Sequence, residues 1–306
     1  MNNTINSQEA NRILTENGLD FNISKRALYD GQGNRSEYYG LWNDKSGNCI
    51  HTVKESYRVS QNQEVVEMVL QGIEKYGSDL SVTKAGAMND GRKIYLQLAI
   101  EGESRVGNDI IKRYITIIDS NDGSTSLSVG IGDLTMSCSN QFWKFYGKGN
   151  RMRHTATLEQ KMKMLPEMIE TALARSMKQM ELYRVMAETP ITDVAVHHLV
   201  KSVLGYDKYL TSMEALSEKS TRAINKMNDL YDAINSEIAD KGKNLWGLHS
   251  GITYYTTHKN SAPKRENGRL ESMMLGNGYT MNEKSLEFAV KYAKVNAFED
   301  LTEILA

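Results

Sequence analysis

Two Asn-Asp-Gly tripeptides, Asn89-Asp90-Gly91 and Asn121-Asp122-Gly123, constrain the first half of this chain more than any other feature. Asp-Gly tolerates the positive φ of a tight reversing turn, and each tripeptide lies between runs of alternating apolar residues. Residues 80–88 and then Ile94, Leu96 and Leu98 flank the first; residues 114–119 and 127–136 flank the second. Two antiparallel hairpins follow. Residues 50–59 read as a further strand. Asn62 then opens an amphipathic helix in which Val65, Val66, Val69, Leu70 and Ile73 keep helical spacing until Gly77.

From Thr155 onward the texture becomes long, Met-rich and helical. The spacing of Leu158, Met162, Leu165, Ile169, Leu173, Met177, Met180 and Met186 predicts one long helix stopped by Pro190. A shorter helix is predicted over 194–204. Ile224, Met227, Tyr231, Ile234 and Ile238 form a narrower seam of coiled-coil type, suited to packing within the fold or against a second subunit. Residues 259–268 read as a loop, and 282–297 as a final helix. The fold class is α+β: an antiparallel β-sheet with a crossing helix in the N-terminal half and a helical C-terminal half. The expected organisation is a flexible segment over 1–18, a β-rich domain over 19–150 and a mainly helical region over 151–306, packed on it or used for oligomerisation.

Composition narrows the function classes. Lys plus Arg number 37 and Asp plus Glu 38, a net charge of −1, so any surface for a polyanion is a local patch rather than a global field. Two cysteines, Cys49 and Cys138, supply neither a disulfide framework nor a Cys-rich zinc site and read as reduced core residues. The polar start of the chain lacks a signal-peptide layout, and no apolar run approaches the ~20 residues that span a bilayer. These features point to a cytoplasmic protein without a membrane partner.

Chemical motifs are sparse. No glycine-rich run ends in Lys-Ser or Lys-Thr, and Gly130-Ile131-Gly132 lacks the third glycine of a dinucleotide fingerprint, so ATP hydrolysis is not expected and no cofactor is implied. His197 and His198 are adjacent and diverge on a helix, and His249 and His258 stand apart from other ligands. Asp119 and Asp122 read first as hairpin-turn residues and only second as a paired-carboxylate metal site. No Gly-x-Ser-x-Gly elbow is present.

One stretch carries more. Over 141–163, Phe142, Trp143, Phe145 and Tyr146 run into Lys144, Lys148, Arg151, Arg153, His154, Lys161 and Lys163. Single-stranded nucleic acid is held by cations on its phosphates and flat rings against its bases. A bland reading competes: the rings close the sheet core and the cations solvate a linker. His258, Lys259, Lys264, Arg265 and Arg269 make a second basic patch after Trp246, Tyr254 and Tyr255. The 16 methionines suit pliable core or subunit contacts.

Several spaced motifs carry a family resemblance: Tyr57-Arg58-Val59-Ser60-Gln61-Asn62, Ala85-Gly86 with Gly91-Arg92-Lys93, Asp122-Gly123-Ser124, Cys138-Ser139-Asn140, Arg153-His154-Thr155, and Trp246-Gly247 with Thr253-Tyr254-Tyr255 and His258. In this order, over about 19–290, the chain resembles a phage/plasmid-like family of unknown function carried by bacteriophages and conjugative elements. Ser139 and a shortened basic loop after Pro263 depart from the family pattern. Hairpins crossed by a helix and followed by helices are also distantly similar to phage single-strand annealing recombinases, which need no ATP and form rings or filaments. The resemblance implies single-stranded DNA binding and annealing in recombination or replication, as a homo-oligomer, with a phage or host recombination protein as a further partner. In that reading Lys144, Lys148, Arg151, Arg153 and His154 grip phosphates, Trp143 and Tyr146 stack or shape the groove, and Lys259, Lys264 and Arg265 extend the track. The alternatives are a phage protein that modulates a host defence or replication component, and a metal-dependent nucleic-acid enzyme using Asp119, Asp122 or His154.

Overall fold

The computed structural model describes residues 2–77, 79–145, 151–206 and 221–293. Helix α1 (Asn2–Glu16) precedes a small antiparallel sheet of β1 (Ile23–Tyr29), β2 (Arg35–Asn43) and β3 (Cys49–Lys54), in that order. A flexible segment is expected over 1–18; instead α1 buries Ala10, Ile13 and Leu14. Those residues share one helical face, and Arg12 supports the helix by pairing with Glu9 at 2.6 Å and Glu16 at 3.0 Å.

Helix α2 (Asn62–Tyr76) crosses from the small sheet to a larger one and ends before Gly77. Its start is tied down by side chains acting as strand. The Gln61 amide donates to Ile23 O at 3.1 Å and accepts from Ile23 N at 3.1 Å, while Asn62 Nδ2 donates to Leu19 O at 3.0 Å. Val65, Val66 and Val69 face the interior.

The large sheet runs β4 (Leu80–Met88), β5 (Lys93–Val106), β6 (Asp109–Ser120), β7 (Leu127–Thr135) and β8 (Asn140–Phe145), with β9 (Arg151–Met152) pairing to β7; every pairing is antiparallel. Asn89, Asp90 and Gly91 take φ of 56°, 57° and 81°, the left-handed turn that the tripeptide predicts. A Cβ on Gly91 would lie 2.9 Å from Phe21 Cζ and 3.0 Å from Asn43 Nδ2, so this turn docks against the first sheet only as glycine. The second turn packs beside it, with Asn121 N donating to Arg92 O at 2.7 Å.

The helices are α3 (Leu158–Met162), α4 (Leu165–Glu188), α5 (Asp193–Leu204), α6 (Thr221–Lys241), α7 (Leu245–Tyr254), α8 (Gly268–Leu275) and α9 (Asn277–Tyr292), with a π-helical turn at Tyr255–Lys259. The single long helix expected over 158–186 is two, because Pro166 opens α4, a position where its missing N–H costs nothing. The final helix begins at Asn277 rather than Asn282. The seam on α6 packs within the fold: Met227, Leu230, Ala233 and Ile234 are buried, and α6 lies along α7. Cys49 is exposed and Cys138 half-buried, so neither is the core residue expected of it.

Period-two alternation gives the large sheet two apolar faces. Leu96, Leu98, Ile115, Ile117, Val129, Ile131 and Phe142 lie in one continuous core with Leu182, Ile234 and Leu286 from the helices, so the change of texture near residue 150 is not a break in the core. Met88, Tyr95, Ile118, Trp143 and Phe145 on the other face are covered by Met273 and Met274 of α8. No helix among the described residues is long and apolar enough to cross a membrane.

One polar contact crosses the first core. Asp133 Oδ2 accepts from Gln179 Nε2 and, at 3.1 Å, from Tyr183 Oη, both on α4. Burial pushes its carboxyl up to about 7 against those donors and the charge of Arg113. The fold therefore binds this proton more tightly than the open chain does, and its stabilisation is lost as pH rises from ~4 through ~7. Asp133→Asn, which keeps an acceptor for Tyr183, is expected to raise unfolding stability at pH 8 by on the order of 2–4 kcal/mol and little at pH 4, read by urea denaturation at both.

Candidate functional site

Strand β8 decides the fate of the aromatic and basic stretch. Trp143 is 3% exposed and seated against Met273 and Met274, so it presents no face to a base. Lys144 points to the opposite face, 4% exposed, with Nζ 2.6 Å from Glu283 Oε1 of α9. The alternation that reads as an exposed strip is that of a strand buried on both sides. Tyr146 and Lys148 lie outside the described residues. Arg151 and Arg153 are exposed, flanking buried Met152 on extended chain. His154, expected to grip phosphate, is buried instead. In the second patch Lys259 is exposed, its Nζ 6.0 Å from the centre of the Tyr254 ring, and Lys264 and Arg265 are exposed.

The buried position of His154 has a cause. Two of the spaced sequence motifs meet there, on a carboxylate that belongs to neither. Asp119, 1% exposed at the end of β6, accepts from Ser60 Oγ at 2.5 Å and from Ser120 N at 2.8 Å, and its Oδ1 lies 2.9 Å from His154 Nε2. His154 Nδ1 lies 3.0 Å from the carbonyl oxygen of Arg58, which can only accept. Both ring nitrogens therefore donate, making an imidazolium–carboxylate pair. Burial disfavours that charge, but the hydrogen bond and charge of Asp119, with the Arg58 carbonyl, outweigh it and raise the His154 pKa. Tyr57 stacks on the imidazolium, rings 4.9 Å apart and 8° from parallel, and its hydroxyl donates to Ser120 O at 3.2 Å. Asp119 is thus the hub of a packed corner rather than a turn residue. Asp122 does sit in the turn, with Oδ1 accepting from Ser124 N at 2.9 Å. The corner sets two exposed cations, Arg58 and Arg153, on segments joined by the Arg58 N to His154 O bond of 3.1 Å.

Beyond this corner a cleft of about 570 Å³ opens between the large sheet and the α8–α9 junction. Phe145, Ile118 and Met274 form its apolar floor, and Ser124, Thr125 and Ser128 add hydroxyls from the second turn and β7. Arg151 and Arg265, one from each basic segment, line it together. Arg265 Nη2 pairs with Glu271 Oε2 at 2.5 Å, and Glu271 Oε1 meets Lys93 Nζ at 3.0 Å. Burial opposes the charge of Glu271, but Arg265 and Lys93 outweigh it and lower the carboxyl pKa. Arg151 forms no ion pair among the described residues, and Gly276 and Asn277 bring the N-terminus of α9 to the wall. Three cations, one half-buried carboxylate and a row of hydroxyls suit a ligand with an anionic edge. Among the described residues no three His, Cys, Asp or Glu side chains are grouped to hold a metal ion.

The cleft was half visible in sequence. Arg151 and Arg265 stand out as members of basic runs, Lys93 and Ser124 only as members of spaced motifs, and Ser128 gains meaning only from the register of β6 and β7.

A family model described as a domain of unknown function (DUF932) matches residues 49–275, about three quarters of the chain. No curated protein and no solved structure matches.

Proposed function

The chain belongs to that family, and from the chemistry of its own residues we propose that it binds single-stranded DNA without ATP and anneals complementary strands, in recombination or replication of a phage or mobile element. One observation carries the reading: two basic segments far apart in sequence place Arg151 and Arg265 on the same cleft. Cations spaced along such a cleft neutralise successive phosphates of a flexible strand, and hydroxyls add neutral contacts to the backbone. Annealing follows from the same neutralisation, since two strands repel less once protein cations have neutralised the phosphates of one of them.

The relevant cations are Arg151, Arg153, Arg58 and Arg265, with Lys259 and Lys264 on the continuing loop. Lys144, His154 and Trp143 leave the binding set and act as supports: Lys144 anchors α9 through Glu283, His154 holds the corner, and Trp143 fills the face under α8. The phage and plasmid setting, a homo-oligomeric state and a recombination protein as partner belong to this same reading.

Native mass spectrometry with and without a thirty-base oligonucleotide tests ligand and assembly together. The expected spectrum gains the oligonucleotide mass on an oligomer, and complementary strands anneal faster with the protein present and no nucleotide triphosphate added. Spectra without bound oligonucleotide, alongside a stable complex recovered from host lysate, would overturn it in favour of a protein that modulates a host component.

A further inference from the structure

The large aromatic side chains most open to solvent among the described residues are Tyr29 and Tyr38, 63% and 40% exposed, and both lie on the small N-terminal sheet rather than near residues 142–154. Along β2, Leu41 and Asn43 turn inward, which leaves Tyr38, Gly40 and Trp42 on the outer face. The antiparallel register adds Ser24 and Arg26 from β1, opposite Trp42 and Gly40, and Thr52 and Lys54 from β3, opposite Gly40 and Tyr38. The face is therefore built of rings interleaved with cations.

Its centre is shaped by one glycine. A Cβ on Gly40 would lie 2.7 Å from Trp42 Nε1, 3.2 Å from Leu28 Cδ2 and 3.3 Å from Cys49 Sγ, so the indole lies flat across the sheet only because residue 40 has no side chain. Arg26 Cζ sits 5.5 Å from the centre of the Trp42 ring, and its Nη2 is held by Asp44 Oδ1 at 2.7 Å, with Ser24 Oγ on the other oxygen at 2.5 Å. Trp42 is half-buried, and the Arg26 guanidinium steadied over it in this way offers an exposed plane of its own.

We propose that this outer face is a stacking platform for the unpaired bases of a single nucleic-acid strand, with Trp42, the Arg26 plane and Tyr38 meeting bases and Lys54 meeting phosphate. Charge argues for this occupant over a second copy of the chain. Arg26 and Lys54 bracket the rings against the single carboxylate of Asp44, so a two-fold contact of this face with itself would oppose surfaces of the same sign. A polyanion meets the cations with its phosphates and the rings with its bases. The inference rests on the single-strand reading for its ligand class, but it uses none of the cleft residues.

The three tryptophans supply the readout, because Trp143 and Trp246 are 3% and 4% exposed whereas Trp42 is only half-buried. Titration with a thirty-base oligothymidylate is expected to quench tryptophan emission and to shield it from acrylamide. Trp42→Phe should abolish the acrylamide-accessible signal, and Trp42→Ala should weaken binding, followed by anisotropy, about tenfold. Gly40→Val is expected to do the same by lifting the ring. Should either variant unfold by circular dichroism, Lys54→Glu supplies the test at an exposed site, again with loss of quenching and affinity. Oligonucleotide bound by anisotropy with Trp42 emission and shielding unchanged would overturn the platform and leave the cleft reading standing. No binding by anisotropy would overturn both. Concentration-dependent shielding of Trp42 without oligonucleotide would overturn the platform in favour of a second copy.

Discussion

Replacing Arg151 and Arg265 together by alanine is expected to weaken binding of a thirty-base single strand at least ~30-fold at about 0.1 M salt, since a hydrogen bond to a charged group contributes roughly 1.5–3 kcal/mol before screening. The slope of log affinity against log salt should flatten by about 1.4, because each phosphate neutralised on a single strand contributes roughly 0.7. The two arginines are not equivalent. Arg265 holds Glu271, so its removal leaves a carboxylate at the cleft with Lys93 as its remaining partner, and the single Arg265→Ala should cost more than Arg151→Ala. Anisotropy across a salt series reads both quantities. Affinity within twofold of the parent, with an unchanged slope, would remove the cleft from the binding surface.

The contrast between β8 and β2 shows where sequence reasoning reached and where it stopped. Hairpin turns are set by local chemistry, which is why the two Asn-Asp-Gly reversals and strand β4 (Leu80–Met88) stand where the tripeptides place them. Helix α2 is equally legible, since its apolar stripe and its start at Asn62 are local signals. Exposure is not local. Residues 142–145 read as the same three rings and one cation whether a strand lies at the surface or between two layers. Only the covering of both faces, by α8 on one side and the main core on the other, makes Trp143 a core residue and Lys144 a buried ion-pair partner.

The ring-and-cation surface that the physics of single-strand binding requires is instead offered by β1 to β3, where Arg26, Tyr38, Trp42 and Lys54 are scattered over some thirty residues and no window of sequence groups them. The spaced motifs behave likewise. Their order is readable, but that Ser60, Asp119 and His154 touch is a consequence of β6 (Asp109–Ser120) ending where the chain entering α2 and the chain leaving β9 both pass.

That convergence makes Asp119 a sensitive polar position. Asp119→Ala leaves the Ser60 hydroxyl and the His154 ring buried without their acceptor, and breaking a buried pair in this way is expected to cost about 3–5 kcal/mol. Asp119→Asn keeps the shape and one acceptor and should cost less, but it changes the sign of the pH response. In the parent, the raised His154 pKa means that the pair's stabilisation is complete below the ordinary imidazole value near 6.5 and is lost as pH rises through the folded value. Without the carboxylate, burial is the dominant influence on the ring and lowers its pKa. Stability then declines on acidification below ~6.5 rather than on alkalinisation above it.

Measured against a His154→Gln reference, which subtracts every other titrating group including Asp133, unfolding free energies between pH 5.5 and 9 should therefore slope downward with pH for the parent and upward for Asp119→Asn. The same slope in both would mean that His154 is neutral in the fold and that the corner is held by packing alone. Because Arg58 and Arg153 are placed by the two segments this pair joins, a folded Asp119→Asn protein should also bind the thirty-base strand more weakly than the parent at pH values below the folded His154 value, where the parent's pair is intact. That loss should shrink in Arg58→Ala and Arg153→Ala backgrounds, where the cations the corner positions are already gone.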